Sequence, residues 1–415
     1  MIRSMLLLAW GIASTVAACL TLPGSIELLL LSLASLVSRR YPRNPSTPFA
    51  PASPFPGTSP WSVAIVVPAH NESASIASCV GSLLKADRAA MQVDVYVIAD
   101  NCTDDTAAIA HRAGAVALER TNPVERGKGY ALHFAFTYLE PLRYNCVLIV
   151  DADTEVAPNF ITAAAGRMRA GAAAVQVRYL VRNTAENTRT RLMGLALRAF
   201  NVVRPLGREH LGLSAGILGN GFGLRSETLQ AVPYLASSVV EDLEYHLALV
   251  RSGRRVAFVN QTTVFGEMPV RGKEAKTQRS RWEGGRLRML LEKSPALLSD
   301  VLHGRLRCLE PLLELLLLPL AFHVTLLLVA VFAPLPFVRD LGVAGILIVL
   351  LHLIAAIFVG GGSWRDALTL ATAPFYVLWK LLLIPSLMRN ARSSQTWVRT
   401  GRNAESTPTN PIDKS

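Results

Sequence analysis

Zinc-like cysteine spacing is absent from this chain. Its five cysteines, Cys19, Cys79, Cys102, Cys146 and Cys308, are scattered and odd in number. They frame no metal knuckle and read as reduced, structural residues. No glycine-rich dinucleotide fingerprint follows the first β-branched run either. Pro68-Ala69-His70-Asn71-Glu72 stands in its place, which argues against a nicotinamide or flavin enzyme. A cleaved leader is disfavoured, because no small-residue cleavage site leads to a polar start before a second apolar stretch.

What the chain does have is oil at both ends. Of 415 residues 51% are apolar, and the mean hydropathy of +0.33 is too high for an ordinary soluble enzyme. Met5 to Leu22, continued after Pro23-Gly24 by Ile26 to Val37, reads as one long Pro-broken membrane helix with only Glu27 charged. Leu309–Val338, Leu341–Val359 and Ala367–Leu387 are three further candidates, the first long enough to include an interfacial lead-in. The expected layout is a membrane helix over 1–40, a Pro-rich linker over 41–60 and an α/β domain over 61–300. A membrane region of about three helices follows over 301–390, then a basic tail over 391–415.

The formal charge of +12 does not point to nucleic acid. Basic residues cluster beside the hydrophobic ends: Arg39, Arg40 and Arg43, then His303, Arg305 and Arg307, then Arg389, Arg392, Arg399 and Arg402. Such flanks follow the positive-inside bias and make membrane lipids the expected partner. They place the middle domain in the cytoplasm of a multi-pass inner or plasma membrane protein. One amino-terminal and three carboxy-terminal crossings would leave the basic tail outside, against its charge; one segment lying in the interface would remove the conflict.

Between Trp61 and Glu241 strands and helices alternate. Val63–Val67, Val93–Ala99, Ala115–Leu118, Cys146–Val150 and Ala173–Tyr179 read as strands. Ser75–Leu84, the Ala-rich run to Ala113, Gly129–Leu139 and Thr190–Val203 read as helices. This spacing predicts an α/β fold with a mostly parallel sheet covered by helices on both faces. Ligands of such sheets gather outside the strand carboxyl ends, where Glu72, Asp100 and Asp153 follow their strands.

Asp151 and Asp153, one residue apart, would share a side of an extended chain and can hold Mg²⁺ or Mn²⁺ against a diphosphate. Asp100 can accept from a base ring NH or cap the following helix, and Glu72 can meet ribose or base. His70 is a weaker candidate. Lys128, between two glycines, can bind phosphate or sit in a solvated turn. Glu241 and Asp242 open a helix, where acids serve as caps; Asp242 also suits a general base within about 3 Å of an acceptor hydroxyl. Gln278, Arg281 and Trp282 have helical spacing: Arg281 can neutralise a diphosphate and Trp282 can stack on a sugar, or the helix can simply lie along a membrane.

Together these elements resemble a membrane-bound family 2 glycosyltransferase of the GT-A fold, in the broad group that includes cellulose, chitin and hyaluronan synthases. The resemblance covers roughly Trp61 to Leu290. It implies that Asp100 and Glu72 bind the uridine part and that Asp151 and Asp153 form the DxD metal element. Glu241-Asp242 would be the ED element carrying the base, with Val240 where Thr is usual. Gln278, Arg281 and Trp282 match the Gln-x-x-Arg-Trp element. The Gly216–Arg225 stretch resembles the acceptor side, so Asn220 and Gly221 are expected to contact the growing glycan. Trp397–Thr400 resembles a gating loop.

The implied function is inverting transfer of a sugar from a nucleotide-sugar, UDP-linked in the family's usual case, to an acceptor hydroxyl of a glycan or lipid-linked glycan. A processive exopolysaccharide synthase and a sugar-phosphate nucleotidyltransferase are the alternatives. Four membrane helices are fewer than the channel-forming synthases use, so polymer export would call for a homo-oligomer or an export partner.

Overall fold

A computed structural model of the protein describes residues 2–40, 61–236, 238, 240–268 and 272–381. The elements run α1 (Ile2–Arg40), β1 (Ser62–Ala69), α2 (Ile76–Lys85), β2 (Gln92–Asp100), α3 (Thr106–Arg112), β3 (Val116–Arg120), α4 (Lys128–Leu139) and β4 (Cys146–Ile149). Then come β5 (Glu155–Val156), α5 (Phe160–Arg169), β6 (Ala174–Val181), α6 (Thr188–Arg198), α7 (Arg204–Leu211), β7 (Phe222–Arg225), α8 (Ser226–Ala231), α9 (Glu241–Arg251) and β8 (Val256–Gly266). The last are α10 (Gly272–Leu302), α11 (Leu309–Leu316), α12 (Leu320–Val331), α13 (Pro336–Gly360), α14 (Trp364–Thr369) and α15 (Ala373–Leu381).

The strands form one sheet in the order β3-β2-β1-β4-β7-β6-β8-β5. The β3-β2-β1-β4 half is parallel throughout, β7 runs antiparallel to both neighbours, and β6 pairs β8 in parallel. A mostly parallel sheet with helices on both faces is thus what the chain forms. Central β1 shows why its sequence is continuously apolar. Val63, Ile65 and Val67 pack with residues of α2, α3 and α5 on one face, while Ala64 and Val66 pack with α4 and α9 on the other. A strand buried on both faces loses the polar alternation of a half-exposed one. Parallel register also brings the carboxyl ends of β1, β2 and β4 to one rim.

Among the described residues, two helices, α1 and α13, are long and apolar enough to cross a membrane. The α1 helix is continuous through Pro23 rather than broken there. The expected span Leu309–Val338 is not one helix. Its parts α11 and α12 meet at 79° around Leu317–Pro319, because Pro319 lacks an N–H and pushes Leu318 out of helical conformation. Ala367–Leu387 resolves into α14, a 3₁₀ turn and α15 as far as Leu381. The linker 41–60, the tail 391–415 and Trp397–Thr400 lie outside the described residues.

The amino-terminal helix is locked onto the α/β body rather than hung beside it. A Cβ on Gly207 of α7 would stand 2.9 Å from Leu31 Cα, so only glycine lets the two backbones meet this closely. Next to this crossing, Glu27 of α1 lies 3.0 Å from both Arg204 and Arg208 of α7.

Candidate active site

Three strand ends and three helices meet at a cavity of about 1000 Å³. Its polar end is lined by His70 and Glu72 after β1, Asp100 at the end of β2, Lys128 at the head of α4, and Asp151 and Asp153 after β4. Glu241 and Asp242 open α9 on the same wall, and Gln278 and Trp282 of α10 close it. Residues as far apart as His70 and Trp282 therefore share one chamber, as expected for groups at strand ends of a parallel sheet.

Asp100 is buried and clamped: Arg120 Nη1 donates to its Oδ1 at 2.6 Å and Asn101 Nδ2 at 3.0 Å. His70 is held by its Nδ1 at 2.7 Å from the Asp100 carbonyl, so it braces the rim. Glu72 is buried as well; Ser75 Oγ donates to its Oε2 at 3.0 Å, and its own amide donates to Thr106 Oγ1 at 2.8 Å. Helix-capping is not what Asp100 does, since α3 begins six residues later at Thr106.

Asp151 and Asp153 do not alternate along a strand. β4 ends at Ile149, and Thr154 N donates to the Asp151 carbonyl at 3.1 Å, folding 151–154 into a turn that still presents both carboxylates to the cavity. The side chain that shapes this turn is Asn220. Its Oδ1 accepts from Asp151 N at 3.1 Å and its Nδ2 donates to Thr154 Oγ1 at 2.8 Å. Asn220 is only 1% exposed, and it does not line the cavity. Gly221 is likewise committed to the sheet, with its N–H on Ile149 O at 3.0 Å and its carbonyl accepting from Val177 N at 2.9 Å. The acceptor-side expectation for Asn220 and Gly221 thus meets a structure in which Gly216–Gly219, just upstream, reach the cavity instead.

Lys128 Nζ donates to Asp151 Oδ1 and to the Gly219 carbonyl. Burial works against its charge, but Asp151 and Glu241 outweigh burial and hold it above the usual lysine range. Gly219 was not expected at the site. Its φ of +80° favours glycine, and a Cβ there would stand 3.1 Å from Asp242 Oδ2. No sequence signal singles it out from its glycine neighbours.

The acidic pair is strongly perturbed. Burial first, and then the charge of Asp242, push Glu241 up to about 8 against the pull of Lys128. Burial also raises Asp242, opposed by the Leu243 amide, which donates to Asp242 Oδ1 at 2.8 Å, and by Lys128. Two acids raised together beside a third, Asp151, suit a group that must take up a proton near neutral pH.

Gln278 is 8% exposed, and its Oε1 is buried without a hydrogen-bond partner among the described residues. An orphaned acceptor aimed into a ligand-sized chamber is a place for a substrate donor. Trp282 lies one turn further along the same helix and also faces the cavity. The side chain of Arg281 lies outside the described residues. Two cavity cations that the sequence reading missed are Arg204, distant in sequence from every motif, and Arg286, one helical turn beyond Trp282 on α10.

An N-acetylglucosaminyltransferase of Rhizobium leguminosarum bv. viciae is 28% identical over 187 residues, 42% of this chain and 43% of that protein, so the chain spans less than half of that relative. Among solved structures, the mannosyltransferase PcManGT from Pyrobaculum calidifontis in complex with GDP-Man and Mn²⁺ has 16% identity and a TM-score of 0.49, over 90% of this chain and 97% of that one. Glucosyl-3-phosphoglycerate synthase from Mycobacterium tuberculosis, with Mn²⁺, UDP and phosphoglyceric acid, has 23% identity and a TM-score of 0.39, over 54% and 76%. Neither likeness is close enough to assign roles. The family described as "Glycosyltransferase like family 2" matches residues 60–285, more than half of the 415, and the chain belongs to that family of glycosyltransferases.

Proposed function

We propose that the chain transfers a sugar, with inversion, from a nucleotide-sugar to the hydroxyl of a glycan or lipid-linked glycan. Asp242 is the general base in this reading, and Glu241 sets its environment. The observation that carries it is the raised acidic pair at the head of α9, facing Asp151 and Lys128 across one chamber. Asp100 and Glu72 hold the nucleoside, Lys128 and Arg281 the diphosphate, and Gln278 and Trp282 the sugar and acceptor. Asn220 and Gly221 act from behind the turn.

Asp151 and Asp153 fit a divalent cation of the kind that takes one or two carboxylates and completes its shell with substrate phosphates and water. Mg²⁺ or Mn²⁺ held there would stabilise the charge on the departing diphosphate. The membrane helices and the basic flanks support a membrane protein with this chamber on the cytoplasmic side.

The test is a product assay on the full chain in detergent, with nucleotide-linked N-acetylglucosamine as the first donor. Release of nucleoside diphosphate that stops with chelator, and in Asp153→Asn, is the expected result. Release of pyrophosphate, or turnover that ignores both treatments, would overturn it.

A further inference from the structure

The cavity does not end at the catalytic rim. Beyond Trp282 it continues as an arm walled by Phe200 after α6, Leu320 and Val324 of α12, Val349 and Leu353 of α13, and Val377 of α15. The boundary is marked by Phe200, with the guanidinium carbons of Arg204 and Arg286 4.8 and 5.9 Å from its ring centre. On the far side the wall is mostly aliphatic, and the two polar side chains there are engaged, Thr325 Oγ1 donating to Ala321 O at 2.9 Å and His352 Nδ1 lying 2.9 Å from Ser32 Oγ; among the described residues of its helices, α13 is long enough to cross a membrane and α12 belongs to the bent pair. Leu328, Leu350 and Leu378 line the cavity and are also 45%, 45% and 60% exposed, so the arm opens sideways between α12, α13 and α15.

A sugar chain in such an arm would leave hydroxyls unpaired against methyl groups. A hydrocarbon chain has none to leave and is favoured by burial. A continuous chamber with carboxylates at one end and a lipid-facing apolar mouth at the other therefore matches one kind of molecule.

We propose that the acceptor is an amphiphile whose hydrocarbon chain enters between α12, α13 and α15 and lies in this arm, with its acceptor hydroxyl at Asp242. This deepens the glycosyl-transfer reading and rests on it. The acceptor oxygen forms the bond to the anomeric carbon as the bond from that carbon to the diphosphate oxygen breaks. The nucleoside diphosphate leaves with the electron pair, and the hydroxyl proton passes to Asp242.

The first experiment uses the full chain in nanodiscs with a fatty acyl probe carrying a diazirine, photolysed and mapped by mass spectrometry. Label at Val324 and Leu353, competed by a dodecyl but not a methyl glycoside, is expected. Label confined to Leu347 and Phe358, each 60% exposed on α13 and outside the arm, would mean surface lipid only and overturn the proposal. The second compares transfer to dodecyl and methyl glycosides of one sugar. KM for the dodecyl acceptor is expected at least about tenfold lower, because each buried methylene adds to binding. Val324→Trp, or the milder Leu353→Phe, should erase that gap while donor hydrolysis is unchanged; equal KM values in the unaltered protein would overturn the proposal. An arm that labels in a chain that neither hydrolyses nor transfers any nucleotide-sugar would instead sink the glycosyl-transfer reading, leaving a lipid site without an acceptor.

Discussion

Two clusters of charge, one where α1, α7, α10 and α11 meet and one at the head of α9, are built on opposite principles. In the anchor cluster Glu27, Glu310 and Glu314 face Arg204, Arg208 and Arg286. Arg208 alone reaches Glu27 at 3.0 Å, Glu314 at 3.2 Å and also Glu310, and Arg286 donates to the Glu314 carbonyl. Among the described residues, charges there balance three to three. At the catalytic end Asp151, Asp153, Glu241 and Asp242 share Lys128. The first cluster ties the membrane helix α1 to α7 and α11. The second carries an excess of negative charge that only a proton or a bound cation can relieve, whereas Arg204, Arg286 and Glu314 of the first reach the same chamber with their charges matched. Balance makes a joint; imbalance makes a reactive site.

Removing the reactive carboxylate should break the comparison most visibly. Asp242→Asn is expected to cost about 10²–10⁴ in transfer rate, the usual contribution of a positioned base. Its unfolding temperature should hold or rise, since one buried negative charge is gone. A transfer assay paired with a thermal melt separates the two effects, and an active Asp242→Asn protein would remove Asp242 from its role.

The joint should answer in the other currency. Arg208→Met leaves three buried carboxylates short of a partner, and breaking a buried pair in this way costs about 3–5 kcal/mol. The loss should appear as a lower midpoint of denaturation in detergent, with activity per folded molecule preserved. Full stability with lost transfer would show that the balanced cluster also serves the chemistry.

A smaller change touches only the geometry of the reactive end. Gly219→Ala forces a left-handed φ of +80° on a residue with a Cβ and sets that Cβ 3.1 Å from Asp242 Oδ2. The backbone term alone is about 1–2 kcal/mol. Because the carboxylate must shift, kcat is expected to fall more than the KM for donor changes; a pure stability loss would make Gly219 a turn residue and nothing more.

Much of the reactive end was legible in the chain because the parallel half of the sheet is simple. Runs such as Val63–Val67 and Cys146–Val150 are apolar, short and followed at once by carboxylates, so the rim could be placed from local pattern. The other half was not. β7 hides in a glycine-rich stretch whose strand character comes from its antiparallel neighbours β4 and β6. β8 carries Asn260-Gln261-Thr262-Thr263 across the register shift that β6 makes at Val177/Arg178, which interrupts its periodicity. Asn220 was expected on the acceptor side because the Gly216–Arg225 stretch resembles the family's acceptor region; the turn at Asp151 claims both of its polar atoms instead. Arg120 and the anchor cluster are pairings between distant segments, which no single-sequence spacing encodes.

The smallest expected effect is on how the reactive end answers to pH. Glu241 is raised from an ordinary 4.5 to about 8, so the folded chain holds that proton more tightly than the unfolded one. Its contribution to stability is therefore complete below the unfolded value and fades as pH rises through about 8. In the absence of divalent cation, the melting temperature of the full chain in detergent should decline across that window. Glu241→Gln, neutral at every pH, keeps the protonated shape and should flatten the decline, whereas added Mg²⁺ should offset it at the high end by binding the ionised acids. A decline of the same slope in Glu241→Gln would place its source outside the acidic pair, and the distinction between joint and reactive site would then rest on charge count alone.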